Sequence, residues 1–324
     1  MMQPVGSSRG GTEERAGVAL SSLDSPVVDG EPATKRDLVD YLDAVADRIV
    51  PVLTGRPLSV IRVRPGQEPF MQKNVPRYAP DWLRTTTITS QTGREVRYAL
   101  CDDRRSLLWF ANQRAVEYHP GLFPAGASRA TQLVLDLDPP EGAGFDAVVA
   151  VAGLVRRALT DAGLEGAVKT SGAKGVHIVV PLRDTGFDDA AAATRALAAR
   201  AAALDPTIAT TAFVREEREG KVFVDSTRAG GATVVAAYSP RIRPGLPVSF
   251  PVAWDALGDI TPGDFTIVTA PGLLGDTDPW RDAQPTPQEL PAALLAEGHD
   301  IPIARVQAMH EGKRRKRARE RGES

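Results

Sequence analysis

Apolar residues return along this chain at two periods, and the switches between them outline its elements. Leu38, Tyr41, Leu42, Val45, Ile49 and Val52 share one face at helical spacing, which predicts a first helix over Leu38–Leu53. Thr131-Gln-Leu-Val-Leu-Asp-Leu-Asp138 reads as a buried strand that ends in two acids. Helical spacing returns from Phe145 to Leu164 through Val148, Val149, Val151, Ala152, Val155, Leu159 and Ala162, with Arg156, Arg157 and Asp161 elsewhere around the turn. Val168 to Thr170 is short and extended, Gly172 and Gly175 bracket a tight turn, and Val176–Leu182 is a strand rich in β-branched residues. Lys221-Val-Phe-Val-Asp225 is a further short strand. The order of strand, helix and hairpin places the ends of these strands at one edge of a single sheet.

That edge collects chemistry. Side chains alternate along a strand, so Asp136 and Asp138 project from the same side and can hold a hard divalent cation. The Ser171-Gly-Ala-Lys-Gly-Val-His177 turn offers a hydroxyl, an ammonium and an imidazole, all binders of phosphate oxygens. Asp225, followed by Ser226, Thr227 and Arg228, supplies a third carboxylate. Arg241 and Arg243, two residues apart in the proline-braced loop Tyr238–Ser249, offer two guanidinium groups to a triphosphate. Two cations held by such acids are a common device for phosphoryl or nucleotidyl transfer. Taken singly, each Asp also fits a plain strand-to-turn ending, because Asp and Pro favour turn starts. A haloacid-dehalogenase-like phosphohydrolase would likewise end an apolar strand in Asp-x-Asp, although some 130 residues precede the pair here and Pro139-Pro140 follows it. A non-catalytic module that binds DNA ends and uses the acids structurally is the other alternative.

At the level of whole motifs the chain resembles the polymerase domain of the bacterial ligase D proteins of non-homologous end joining, a branch of the archaeo-eukaryotic primase superfamily. The resemblance runs over roughly residues 33–260. It rests on Lys35-Arg-Asp-Leu-Val-Asp-Tyr41, Gly55-Arg-Pro57, Phe70-Met-Gln-Lys-Asn74, Ala79-Pro-Asp-Trp82, Trp109-Phe-Ala-Asn112, Val116-Glu-Tyr-His119, the Asp136/Asp138 strand, Ser171 to His177, Val224-Asp225, and Tyr238-Ser through Val248-Ser249. It implies an α/β fold with mixed sheets, a primase-like polymerase core with flanking helices in one compact domain. The implied activity is that of a DNA/RNA polymerase that uses two divalent cations, Mn²⁺ or Mg²⁺, and nucleoside triphosphates, often ribonucleotides, to extend 3′ ends and fill short gaps. Carried over by position, the metal-binding acids are Asp136, Asp138 and Asp225; the nucleotide-binding groups are His119, Ser171, Lys174, His177, Arg228, Arg241 and Arg243.

Two departures bear on DNA. Where such domains carry two consecutive phenylalanines for the template, this chain has Phe70-Met71, and methionine covers a base without stacking as a ring does. The stretch whose lysine helps recognise a downstream 5′-phosphate is replaced by Leu23-Asp-Ser-Pro-Val-Val-Asp-Gly, leaving Lys35 to serve.

Composition fits an intracellular enzyme: 324 residues, 42% hydrophobic and 25% charged, with the single Cys101 excluding a disulfide framework. The expected organisation is a disordered lead over residues 1–19, a catalytic domain over 20–275, a wrapping C-terminal segment with a short helix over 276–310, and a basic tail over 311–324. Net charge is −2, yet Lys313–Ser324 holds seven basic and two acidic side chains, leaving 32 basic against 39 acidic in the rest. An acidic body grips DNA through a local patch, here Arg62, Arg64, Lys73 and Arg77, together with the tail. No membrane span or Lys-x-Asp-Gly ligase nucleophile motif occurs. The expectation is a stand-alone cytoplasmic, nucleoid-associated enzyme working on gapped or 3′-overhanging DNA beside a separate ligase and end-binding protein.

Overall fold

The computed structural model describes residues 13–89, 95–230, 233–303 and 309. In chain order the first half comprises β1 (Glu13–Arg15), β2 (Val18–Leu20), α1 (Lys35–Ala44), α2 (Ala46–Leu53), β3 (Leu58–Arg62), β4 (Phe70–Gln72), β5 (Thr85–Thr89), β6 (Glu95–Ala99), α3 (Arg104–Asn112) and β7 (Ala115–Pro120). The helix expected over residues 38–53 is thus two. Thr34 caps α1 in a capping box with Asp37, and the chain leaves strict helix at Val45. Pro51 lies inside α2 and lacks the N–H that would bond the Asp47 carbonyl, and the helix runs on through it to Leu53. The disordered lead is corrected for residues 13–19: β1 and β2 form a hairpin that buries Val18 and Leu20 in the core, with Arg15 paired to Glu13, Asp40 and Asp43. Residues 1–12 of that lead, and the basic tail, lie outside the described residues.

β3 sits at the centre of the first sheet, antiparallel to β4, β6 and β7, with β5 on the edge beside β6. The helices α1 to α3 cover it through Leu38, Leu42, Ile49, Leu107 and Leu108. The second half supplies β8 (Ala130–Asp138), α4 (Phe145–Asp161), β9 (Ala167–Thr170), β10 (Val176–Thr185), α5 (Phe187–Leu204), β11 (Ala209–Thr210), β12 (Val222–Asp225), β13 (Pro251–Val252), α6 (Ala270–Leu274), α7 (Pro279–Ala283) and α8 (Ala292–Asp300). Its six strands run β11-β12-β8-β10-β9-β13, antiparallel throughout except for β11 and β12.

One face of this second sheet, through Leu133, Leu135, Leu137, Ile178 and Val180, packs on α4 and α5. The alternate residues, among them Val134, Asp136, His177 and Val179, point to the other face. There the segment 233–250 bridges the two sheets: Ala236 donates to the Tyr118 carbonyl and Phe250 is held by Thr170. Fixing both sheets against one strap is what gives the site a defined position. Toward the C-terminus, α8 lies on α5 so closely that a Cβ on Gly298 would clash with the Ala192 carbonyl. The result is one compact α/β domain with mixed sheets. No helix among the described residues is long and apolar enough to cross a membrane.

Candidate active site

The register of three strands builds the acid centre. Asp136 on β8 faces His177 on β10 on one side and Asp225 on β12 on the other. Asp136, Asp138 and Asp225 each present a carboxylate oxygen within 4.8 Å of the others. Arg228, just past β12, reaches back to Asp136 Oδ2 at 2.9 Å and lies 3.4 Å from Asp225 Oδ2. His177 Nε2 is 3.2 Å from Asp136 Oδ1, and the Thr227 amide donates to Asp225 Oδ1 at 2.7 Å.

These contacts divide the acids. Burial alone would raise the pKa of Asp136, but His177 and Arg228 outweigh it and hold the carboxyl at about 2. Burial, together with the neighbouring charges of Asp136 and Asp225 and against Arg228, raises Asp138 to about 6. Burial also lowers His177 to about 4, helped by Lys169 and opposed by Asp136, so its imidazole is neutral near pH 7. The centre therefore carries more negative charge than its own side chains offset, and its donors are all oxygen, the set that hard divalent cations take.

The phosphate-binding turn joins β9 to β10. Ser171 Oγ accepts from the amides of Ala173 and Gly175 at 3.2 and 3.1 Å, and the Ser171 amide donates to the Gly175 carbonyl at 2.8 Å. The hydroxyl therefore keeps its own proton to donate. Gly172 takes φ +67°, where a Cβ would lie 2.7 Å from Arg241 Cγ, so this position needs glycine. Arg241 donates to the Ser171 carbonyl at 2.7 Å and forms an ion pair with Glu117 at 3.0 Å that is not aligned as a hydrogen bond. Glu117 also pairs with His119 at 2.9 Å and accepts from the Ile242 amide at 2.8 Å. Burial works to raise its pKa, but His119, Arg241 and that amide bring it down to about 2. Arg241 is thus largely committed inside the wall, while Lys174 and Arg243 stand exposed.

A cavity of about 790 Å³ joins these parts: His119, Asp136, Asp138, Ser171, Lys174, His177, Arg228, Arg241 and Arg243 all line it. Asp225 stands behind it at the acid centre. Arg215 and Arg218, which the sequence reading does not single out, lie on its rim, Arg218 stacked 3.8 Å over Phe223. Glu117, quoted there only inside a motif, and Lys169 are likewise given no role from the sequence, although each is a formal charge within a mostly apolar strand, the signal that could have found them.

The expected DNA contacts divide. Phe70, Met71 and Lys73 lie on the edge strand β4 and beyond it, outside the cavity, with Met71 46% exposed and Arg64 4.9 Å over the Phe70 ring. Arg62 is corrected: it sits on the central strand β3, is buried, and spends its guanidinium on the Gln113 carbonyl, Gln72 and Tyr78. Lys35 is corrected too. It is 3% exposed, donates to the Ser21 carbonyl at 2.5 Å and to Asn112 Oδ1 at 2.6 Å, and burial, helped by Arg114, lowers its pKa to about 8.

Residues 34–280 match the model of the LigD primase-polymerase domain, and the chain belongs to that family. It is 30% identical over 283 residues to the bifunctional non-homologous end joining protein LigD of Bacillus subtilis, covering 85% of this chain and 46% of that protein. To the multifunctional non-homologous end joining DNA repair protein LigD of Mycobacterium tuberculosis H37Rv it is 33% identical over 262 residues, 77% of this chain and 34% of that protein. The chain thus spans between about a third and a half of the curated relatives it matches. Among solved structures, the polymerase domain of Mycobacterium tuberculosis ligase D in complex with DNA superposes with a TM-score of 0.74 at 30% identity, covering 90% of this chain and all of that one.

Proposed function

We propose that this protein is a metal-dependent nucleotidyltransferase that joins nucleoside triphosphates to a nucleic-acid 3′-hydroxyl, extending ends and filling short gaps during end joining of bacterial DNA. The observation that carries the reading is the meeting of a three-carboxylate centre, two of whose acids line the cavity with the third directly behind them, with the Ser171–Gly175 turn and the Arg243 loop in a chain of the LigD primase-polymerase family. Asp136, Asp138 and Asp225 would hold two divalent cations, Mn²⁺ or Mg²⁺, which when bound supply activation of the 3′-hydroxyl and offset charge on the phosphates. The remaining work belongs to the chain. Arg228 and His177 keep Asp136 ionised and aimed; Lys174, Arg243 and the Ser171 hydroxyl grip the triphosphate; the Glu117–Arg241–His119 cluster holds the opposite wall in place. Phe70, Met71 and Lys73, on their exposed edge, fit a template strand. A cytoplasmic, nucleoid-associated setting follows from that substrate.

Template-directed extension of a labelled primer on a gapped duplex tests the reading, and binding without extension would leave a DNA-end-binding module in its place. Lys174→Ala and Arg243→Ala are each expected to raise the KM for nucleoside triphosphate and lower kcat/KM by about ten- to a hundredfold, as loss of a charge-assisted contact worth on the order of 1.5–3 kcal/mol requires. A change confined to primer affinity would reverse the assigned orientation of the site. Ribonucleotides should be incorporated at least as well as deoxyribonucleotides. Because Lys35 is engaged by Ser21 and Asn112, a downstream 5′-phosphate should stimulate gap filling only weakly. Strong stimulation lost in Lys35→Ala would show that this lysine reaches DNA.

A further inference from the structure

Lys169 is a basic side chain almost wholly inside the protein, 2% exposed, and the proposed reaction does not use it. Its place is set by the sheet. Asp225, Asp136, His177 and Lys169 stand directly opposite one another on the adjacent strands β12, β8, β10 and β9, so four polar side chains form one row across the face that carries the site. The Lys169 Nζ lies 2.7 Å from His177 Nδ1, 2.7 Å from Ser249 Oγ and 3.0 Å from the Val235 carbonyl.

The directions of these bonds can be assigned. Ser249 donates its hydroxyl proton to the Thr170 carbonyl at 2.8 Å, so toward Lys169 it accepts, and the Val235 carbonyl can do nothing else. With Ser249 and Val235 both accepting and His177 Nε2 facing a carboxylate, one proton is left between Lys169 Nζ and His177 Nδ1, and it stays on the lysine, the stronger base, although burial lowers the lysine pKa well below its usual range. The ring proton of a neutral His177 then sits on Nε2, facing Asp136 Oδ1 at 3.2 Å. The opposite tautomer would set a nitrogen lone pair against a carboxylate.

We infer that Lys169 is a positioning residue: it holds His177 in the Nε2–H tautomer, so that the imidazole donates to Asp136 and fixes the orientation of that carboxylate at the acid centre. Through Val235, which lines the cavity, the same ammonium ties the bridging strap to the row. The inference rests on the reading of Asp136 as a metal-binding acid. Partners that orient a ligand in this way typically change metal affinity or activity 10- to 100-fold when removed.

The test uses the full chain, metal-free and labelled with ¹⁵N-histidine, at neutral pH. Long-range ¹H–¹⁵N correlations report the His177 ring, which is assigned by its disappearance in His177→Gln. The wild-type ring should be neutral with its proton on Nε2. A ring protonated on Nδ1, or on both nitrogens, overturns the inference whether or not any variant folds. Lys169→Met, similar in length and without donors, should lose the single-tautomer pattern and bind Mn²⁺ about 10- to 100-fold more weakly, read by titration followed by electron paramagnetic resonance. An unchanged tautomer, or unchanged Mn²⁺ affinity, in a folded Lys169→Met protein also overturns it. None of these readouts needs polymerase activity, so a failure of the proposed function would be seen separately.

Discussion

Asp136→Ala is expected to abolish template-directed primer extension, by about 10³-fold or more, while DNA binding stays within a few-fold. The scale is set by transition-state electrostatics: a single lost oxyanion donor already costs about 10²–10³, and Asp136 is the residue about which Asp138, Asp225, His177 and Arg228 are arranged. The binding expectation follows from location, since Phe70, Met71 and Lys73 lie outside the cavity. Retained extension would remove the site assignment. Asp138→Asn adds a second sign to the test. A carboxyl whose pKa is raised to about 6 in the folded protein contributes stability that is lost as pH rises through that value, so near neutral pH its charge destabilises the metal-free fold. Asp138→Asn should therefore raise the metal-free Tm, by the equivalent of about 1–2 kcal/mol, as it eliminates activity. A thermal melt beside a gel assay reads both.

Which parts of this site could be read from the chain follows from how local their determinants are. The Asp136/Asp138 pair and the Ser171–His177 turn each declare themselves within a few residues, by strand alternation and by glycine spacing. The register that sets Asp136 opposite both His177 and Asp225 depends on pairing between segments distant in sequence. Lys169 shows the same limit. Alternation puts it on one face of β9, but the groups that make that face an interior come from Val235 and Ser249, far along the chain. Arg62 and Lys35 failed for a related reason: charge predicts a partner, and for both the partners turned out to be polar groups of the protein itself. The β1–β2 hairpin was hidden by its turn. Ala16 and Gly17 both take positive φ, as a two-residue hairpin of type I′ requires, yet alanine gives none of the signal that asparagine before glycine would give.

Gly175→Ala is expected to lower activity about 10²-fold and stability by about 1–3 kcal/mol, for a reason of space rather than backbone angle. Gly175 closes the phosphate-binding turn, its amide on Ser171 Oγ and its carbonyl accepting from the Ser171 amide. A Cβ there would lie deep inside contact distance of the Leu137 carbonyl oxygen. Leu137 pairs with Val176 and stands between the two acids, so no flexible side chain can yield. Relief must separate β8 from β10 where Asp136 and Asp138 leave the sheet. Overpacking of this kind costs about 1–3 kcal/mol, and a displacement of roughly 1 Å in a reacting group can cost about 10² in rate. Gly153→Ala is the matched control. It lies exposed within α4 with nothing within 4 Å of the added Cβ, so it should stabilise by up to about 1 kcal/mol and leave activity unchanged. Metal affinity and primer extension of the two variants, compared at equal folded fraction, separate a displaced acid pair from a merely weakened fold. If Gly175→Ala behaved like Gly153→Ala, the close approach of the turn to β8, and with it the seating of phosphate-binding groups against the acids, would be wrong.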